Sequence, residues 1–195
     1  MKHEPLPQFH IHPHQTKQAT PAQIIILGFL GIILAGALLL MLPISSRAGV
    51  VTPFSDALFT ATSATCVTGL VVHDTATYWS PFGQLILLAL IQVGGMGVVT
   101  VAVSVVMFSG RKIGLRQRWV MQESISAPQV GGIVRMTSFI LKAMLLIEGT
   151  GALLLSLRFC PQFGLFQGLW YGIFHAISAF CNAGFELMGT SAPYA

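Results

Sequence analysis

Phe59-Thr60-Ala61-Thr62-Ser63-Ala64-Thr65-Cys66-Val67-Thr68-Gly69-Leu70 has a counterpart 115 positions further on, Phe174-His175-Ala176-Ile177-Ser178-Ala179-Phe180-Cys181-Asn182-Ala183-Gly184-Phe185. Six of the twelve aligned positions are identical: Phe59/Phe174, Ala61/Ala176, Ser63/Ser178, Ala64/Ala179, Cys66/Cys181 and Gly69/Gly184. Self-similarity at a fixed period marks a repeated supersecondary unit. Each copy closes on small or β-branched residues around a glycine, which continue a helix poorly. The same shift lays the first long apolar run of the chain on the third, so the repeat includes more than the loop.

The first run, Gln23–Leu42, holds twenty residues without a charge, enough to cross ~30 Å of hydrocarbon as a helix. It is too long for the core of a signal peptide and no A-x-A site follows it, so it is expected to stay in the mature chain. Pro43 ends it. Pro53–Thr62 then reads as a short helix with Pro53 in its first turn, where a missing N–H costs nothing; its ten residues give ~15 Å, half a bilayer. Ser63–Leu70 follows as a loop. Pro81 opens a second apolar run over 82–108, interrupted by Gln84, Gln92 and Gly94-Gly95-Met96-Gly97. Residues 109–135 carry Arg111, Lys112, Arg116, Arg118, Glu123 and Arg135 and suit a short amphipathic helix on the membrane surface. Met136–Leu157 is the third spanning run, with Lys142 and Glu148 inside it. Leu165–Ser178 is again a short helix, and 179–185 again a loop. The expected fold class is an all-α integral membrane protein built from units of spanning helix, half-helix, glycine-bearing loop and spanning helix. After a tail over 1–21, one unit fills 22–108; a second begins at 136 and stops at Ala195, before its closing helix.

Composition points the same way. Of 195 residues 54% are hydrophobic and 8% charged, against roughly 25% charged in an ordinary soluble domain. Too little polar side chain remains to cover a soluble core, and the surplus must face lipid. The ten Lys/Arg against six Asp/Glu form no stripe interleaved with aromatics, which argues against nucleic acid as a partner. They gather at the ends of apolar runs. Lys2, Lys17, Arg111, Lys112, Arg116, Arg118 and Arg135 fall on one side and Arg47 and Arg158 on the other, placing the N-terminus in the cytoplasm and both half-helices at the outer face of the plasma membrane. Cys66, Cys160 and Cys181 show no CxxC spacing and read as thiols. His3, His10, His12 and His14 lack carboxylate or cysteine partners at a fixed spacing and read as part of a flexible tail.

Non-helical backbone at membrane depth is tolerated only where it is buried in protein or lines a water-filled path. A half-helix whose C-terminal end points inward turns its negative dipole end to that path, which favours a cation. The loop after it can aim backbone carbonyls at a dehydrated ion, and Gly69 and Gly184 supply the backbone freedom this needs. Two loops do not close a ring, so more must converge.

Thr65-Cys66-Val67-Thr68-Gly69-Leu70 and Phe180-Cys181-Asn182-Ala183-Gly184-Phe185 resemble the first and second pore loops of the Trk/Ktr/HKT family of potassium transporters. Gln92-Val93-Gly94-Gly95-Met96-Gly97 is similar to that family's first inner helix, and Ile113–Arg116, Gly131–Arg135 and Ile147–Ala152 also match, so that the likeness covers roughly residues 22–190 and is greatest to the Ktr branch. The resemblance implies potassium as the transported ion, no cofactor, and a full subunit of four units around one pore, of which this chain holds about half. It further implies homodimerisation, a cytoplasmic ring of nucleotide-binding regulatory subunits, and filter linings Cys66, Val67, Thr68, Gly69 and Cys181, Asn182, Ala183, Gly184, with Ser63, Ser178 and Glu148 as structural support.

Other readings are weaker. His73-Asp74 with Ser63 does not make a catalytic triad, and no enzymatic activity is expected. Gly94, Gly95 and Gly97 suit close packing against a half-helix; no strand precedes them, as a phosphate loop requires. Glu148, an intramembrane carboxylate, is expected to bond the backbone behind a filter loop or to serve an ion or proton path. Lys142, six residues away on another face, snorkels to the cytoplasmic interface. Residues 111–118 set topology and offer a docking surface to a cytoplasmic partner. Two other classes compete: an ion-coupled carrier of another solute, whose repeats are usually inverted whereas these keep their orientation, and a non-functional fragment.

Overall fold

The computed structural model describes residues 21–97 and 133–189. In chain order they form α1 (Pro21–Met41), a 3-10 turn (Pro43–Ser45), α2 (Phe54–Thr65), α3 (Thr75–Tyr78), α4 (Pro81–Met96), α5 (Ile133–Phe163) and α6 (Leu165–Phe180). No strand forms among the described residues; an isolated antiparallel bridge joins Ser46 to Trp79.

With 21 residues, α1 is ~31 Å long, and α5 has 31 residues. Both are apolar and long enough to cross a bilayer. Each bares large apolar side chains on one side: Ile26, Leu30 and Leu38 on α1, Phe139, Leu146, Leu153 and Leu157 on α5. Facing water, such surface costs about 25 cal/mol per Å²; facing lipid tails it costs nothing. The other side of α1 meets α2 and α4 through Ala37 and Leu40, and Gly36 lets the Leu90 side chain of α4 approach closely. With the composition, these faces define an all-α integral membrane protein.

The half-helices run further than their sequences suggest. α2 continues to Thr65, so Ser63, Ala64 and Thr65 belong to the helix and not to the loop. Its threonines turn their hydroxyls back onto carbonyls one turn earlier: Thr60 to Asp56, Thr62 to Leu58 and Thr65 to Ala61, at 2.7, 2.7 and 2.8 Å. Those bonds satisfy the hydroxyls inside an apolar surround and make β-branched residues acceptable in a helix. Pro53 caps α2 from outside rather than sitting in its first turn. α6 likewise extends to Phe180.

The third spanning helix also outruns its expected end at Leu157. α5 passes through Pro161 and stops only at Gly164 (φ +87), after which α6 begins at once. The proline lies in the last turn, where it forfeits a single hydrogen bond. The α5–α6 hairpin closes because Gly168 sits on the Cys160 backbone and Gly172 against Ala152 and Ser156. α4 starts on Ser80, whose hydroxyl accepts from Gly83 N–H at 3.2 Å, with Pro81 at its first position. It ends at Gly97 (φ +79); the rest of the run expected over 82–108, and the basic segment up to 132, lie outside the described residues.

Between α1 and α4 the chain builds a cap. Arg47 N–H donates to the Tyr78 carbonyl at 2.9 Å, Ser80 N–H to the Ser45 carbonyl at 2.9 Å, and the Ser80 hydroxyl to the Ile44 carbonyl at 2.6 Å. Trp79, fully buried, fills the space beneath.

Candidate functional site

The last turn of each half-helix leads into its loop with the same backbone. Cys66 (φ −88, ψ 1) and Cys181 (φ −75, ψ −5) are the C-caps. Val67 (φ +57) and Asn182 (φ +56) follow in the left-handed region, and Gly69 (φ +74) and Gly184 (φ +72) return to positive φ two residues later. The hydrogen bonds match too. Val67 N–H reaches the Ala64 carbonyl at 3.3 Å and Asn182 N–H the Ala179 carbonyl at 3.0 Å. Thr68 N–H reaches Ser63 at 3.0 Å and Ala183 N–H reaches Ser178 at 2.7 Å. This paired 6→1 and 5→2 closure is a Schellman motif, built twice.

Its first copy is strained. A glycine commonly fills the left-handed position; a β-branched valine there is an outlier costing on the order of 1–3 kcal/mol. Such strain persists only where surrounding structure demands the conformation, and here it sits between two turns of unusual backbone at the end of a half-helix. Among the described residues no hydrogen bond falls on the carbonyls of Cys66, Val67, Thr68 or Gly69, nor on those of Cys181, Asn182, Ala183 or Gly184.

The two loops touch. A Cβ placed on Gly69 would lie 2.9 Å from the Ala183 carbonyl oxygen and 3.2 Å from the Gly184 Cα; one placed on Gly184 would lie 3.1 Å from the Gly69 Cα. The two segments expected to line the path therefore meet at Gly69, Ala183 and Gly184, each just beyond the negative end of its helix. Thr68, Asn182 and Gly184 are exposed there, while Ala183 is buried.

The three residues expected to support the loops act differently. Ser63 Oγ pairs with Thr68 Oγ1 at 2.8 Å, holding the first loop to its own helix. Ser178 Oγ donates to the Phe185 carbonyl at 2.6 Å, reaching past the second loop to the segment beyond it. Among the described residues Glu148 bonds no loop backbone. Its two carboxylate oxygens receive the Gln92 side-chain amide at 3.0 and 3.1 Å, joining α5 to α4. α4 itself is wedged between the half-helix ends: a side chain on Gly94 would strike the Thr65 carbonyl, and one on Gly95 the Cys181 side chain. Gly97 has nothing within 4 Å among the described residues and ends the helix with φ +79. A second bridge joins the units where Trp170 Nε1 donates to Gln84 Oε1 at 2.9 Å.

His73 bonds Asp56 at 3.0 Å and stacks on Tyr78 at 4.0 Å, away from Ser63. Among the described residues no group of three His, Cys, Asp or Glu gathers as for a resident metal. Sequence reasoning missed the left-handed Val67, although Asn182 at the matched position, a residue tolerant of that region, was a signal for it. It also missed His175, treated below, and Gln92 as the partner of Glu148.

A pair of matched half-helices ending in touching loops, beside helices long enough to cross a bilayer, defines an integral membrane protein built from broken-helix units. The chain belongs to the TrkH family of cation transport proteins, whose family model matches residues 2–194. It is 49% identical over 170 residues to the Ktr system potassium uptake protein B of Bacillus subtilis, covering 86% of this chain and 37% of that protein. It is 43% identical over 175 residues to the potassium/sodium uptake protein NtpJ of Enterococcus hirae, covering 90% and 39%. To the Ktr system potassium uptake protein B of Vibrio alginolyticus it is 40% identical over 169 residues, covering 87% and 37%. The chain thus spans less than two fifths of the length of these relatives.

Proposed function

We propose that this chain supplies two of the loops of a cation uptake pore, with potassium the selected ion. The observation that carries the reading is the pair of matched loops in contact at Gly69 and Gly184. Alternation of left-handed with ordinary residues turns successive carbonyls toward one side of a chain, and carbonyls without other partners can replace water around a potassium ion. Cys66, Val67, Thr68 and Gly69 line one quadrant and Cys181, Asn182, Ala183 and Gly184 the next. Two further quadrants come from the remainder of a subunit of the relatives' length. The pore works as a homodimer in the plasma membrane, with a ring of nucleotide-binding subunits docked on its cytoplasmic side near residues 111–118. Rubidium uptake by cells lacking their own potassium uptake systems tests the reading: expression of the intact protein should restore saturable Rb⁺ entry competed by K⁺. Entry competed instead by an organic solute would transfer the protein to the carriers.

The N-terminus lies in the cytoplasm, on the count of seven basic residues against two. In a cysteine-free background, an impermeant thiol reagent applied to intact cells should label a cysteine placed at Val72, which is exposed on the outer cap. It should not label one placed at Gln117. The reverse pattern would invert the topology.

A further inference from the structure

Two histidines tie the segments beyond the loops back to their half-helices, with opposite chemistry. His175 lies on α6 one turn before Ser178. Its Nδ1 stands 2.7 Å from the Tyr171 carbonyl, and its Nε2 receives the Leu187 N–H at 3.2 Å. A carbonyl only accepts, so Nδ1 carries the ring proton; an amide N–H only donates, so Nε2 carries none. Both partners are backbone groups and neither can exchange its role. The imidazole fits this place in one form alone, neutral with its proton on Nδ1.

The clip has a second jaw in Ser178, which holds the Phe185 carbonyl. The two bonds straddle Glu186, and the residues they fix, Phe185 and Leu187, are 2% and 1% exposed. Phe185 follows directly on Gly184, so the position of the clip is passed to the loop. The ring packs among Phe159 of α5 and Tyr171 and Phe174 of α6. Among the described residues, the titratable or charged groups on the elements packed against it are Tyr171 on its own helix, Arg158 and Cys160 next to Phe159 in sequence, and Glu186 next to Leu187. Glu186 spends its carboxylate on the N–H groups of Met188 and Gly189, at 2.9 and 3.1 Å.

In the first unit the histidine is on the other partner. His73, beyond the first loop, bonds the Asp56 carboxylate of α2 at 3.0 Å. A proton on His73 adds an ionic attraction to that bond. A proton on His175 sets a second N–H against the Leu187 N–H and breaks the clip.

We propose that His175 is a positioning residue for the second pore loop, whose backbone clip on Leu187 holds only while the ring is neutral, so that external acid loosens that loop and lowers potassium selectivity. The inference rests on the ion-conducting reading of the loops. Its test uses the intact protein in liposomes and compares K⁺-over-Na⁺ permeability at about pH 7.5 and about pH 5.5. Wild type should lose about fivefold in that ratio, the size of one lost net hydrogen bond. His175→Gln keeps an amide oxygen for Leu187 and cannot titrate; it should hold the neutral-pH ratio at both values. His175→Leu should show the lowered ratio throughout. A His175→Gln variant that follows wild type across the pH range overturns the proposal, whatever His73 contributes to both. A readout independent of flux is the ¹⁵N spectrum of the His175 ring near pH 7.5: the Nδ1–H tautomer supports the clip, and the Nε2–H tautomer sinks it. Absence of Rb⁺ or K⁺ flux in wild type would defeat the pore reading, and the ring spectrum would still decide the clip.

Discussion

Gly69→Ser should lower potassium-over-sodium selectivity by about tenfold or more while the protein still reaches the membrane. Two separate costs converge at this residue. Its φ of +74 is one that L-residues adopt at roughly 1–2 kcal/mol. The new Cβ would lie 2.9 Å from the Ala183 carbonyl oxygen and 3.2 Å from the Gly184 Cα, both backbone atoms of the facing loop, which cannot swing aside as a side chain tip can. Overpacking of this kind typically adds about 1–3 kcal/mol. At about 1.4 kcal/mol per decade, even the lower end of the sum is enough to displace a carbonyl from one ion in preference to the other. Gly49 provides the control: its φ is +67, but nothing among the described residues lies within 4 Å of its Cβ position. Gly49→Ser therefore meets the backbone cost without the collision and should leave selectivity unchanged. Relative Rb⁺ and Na⁺ fluxes in liposomes measure both variants. An unaltered ratio in a normally inserted Gly69→Ser protein would remove Gly69 from the pore.

What the sequence disclosed, and what it hid, follows from the range of the interactions. Apolar runs and a 115-residue period are properties of the string itself, so α1, α5, both half-helices and the matched glycines could be read directly. The ends of elements could not. Whether Thr60, Thr62 and Thr65 break α2 or stay in it depends on where their hydroxyls turn, and they turn to carbonyls one turn back. The third span was expected to end at Leu157, but α5 runs on through Arg158 and Pro161 to Phe163, where Gly168 packs on the Cys160 backbone. Side-chain partners distant in sequence were out of reach altogether. Glu148, an intramembrane carboxylate, was expected to bond loop backbone or serve an ion or proton path; its donor among the described residues is Gln92, 56 residues away. His175 sat in the open inside the repeat, at the position of Thr60, and nothing local said that its acceptor nitrogen would meet Leu187.

The same Gln92–Glu148 pair carries the largest expected change in stability. Glu148 is 6% exposed and accepts the Gln92 amide on both oxygens. Gln92 Oε1 is buried and without a hydrogen-bond partner among the described residues. Glu148→Leu would leave the Gln92 amide with no partner but the Met144 sulfur, a weak acceptor at 3.5 Å, a cost of about 1–3 kcal/mol. Gln92→Leu would instead leave the Glu148 carboxyl group without its amide donor, a loss of about 1–3 kcal/mol that is larger for a charged group. The double variant Gln92→Leu/Glu148→Leu strands neither group, and an apolar pair of similar volume between α4 and α5 should recover most of the loss. The four proteins form a cycle in which the two single costs fail to add. Thermal unfolding in detergent should show both single variants melting well below wild type and the double variant close to it. Gly95 lies one turn from Gln92 on α4 and carries Cys181 against it, so the single variants should also lower potassium selectivity, and the double should restore it. That restoration separates two roles for Glu148. A brace between helices tolerates an apolar replacement of both partners; a carboxylate that meets the passing ion does not. A double variant that regains its melting temperature but conducts no Rb⁺ would place Glu148 in the ion path, and strictly additive losses would mean that the two residues do not support each other at all.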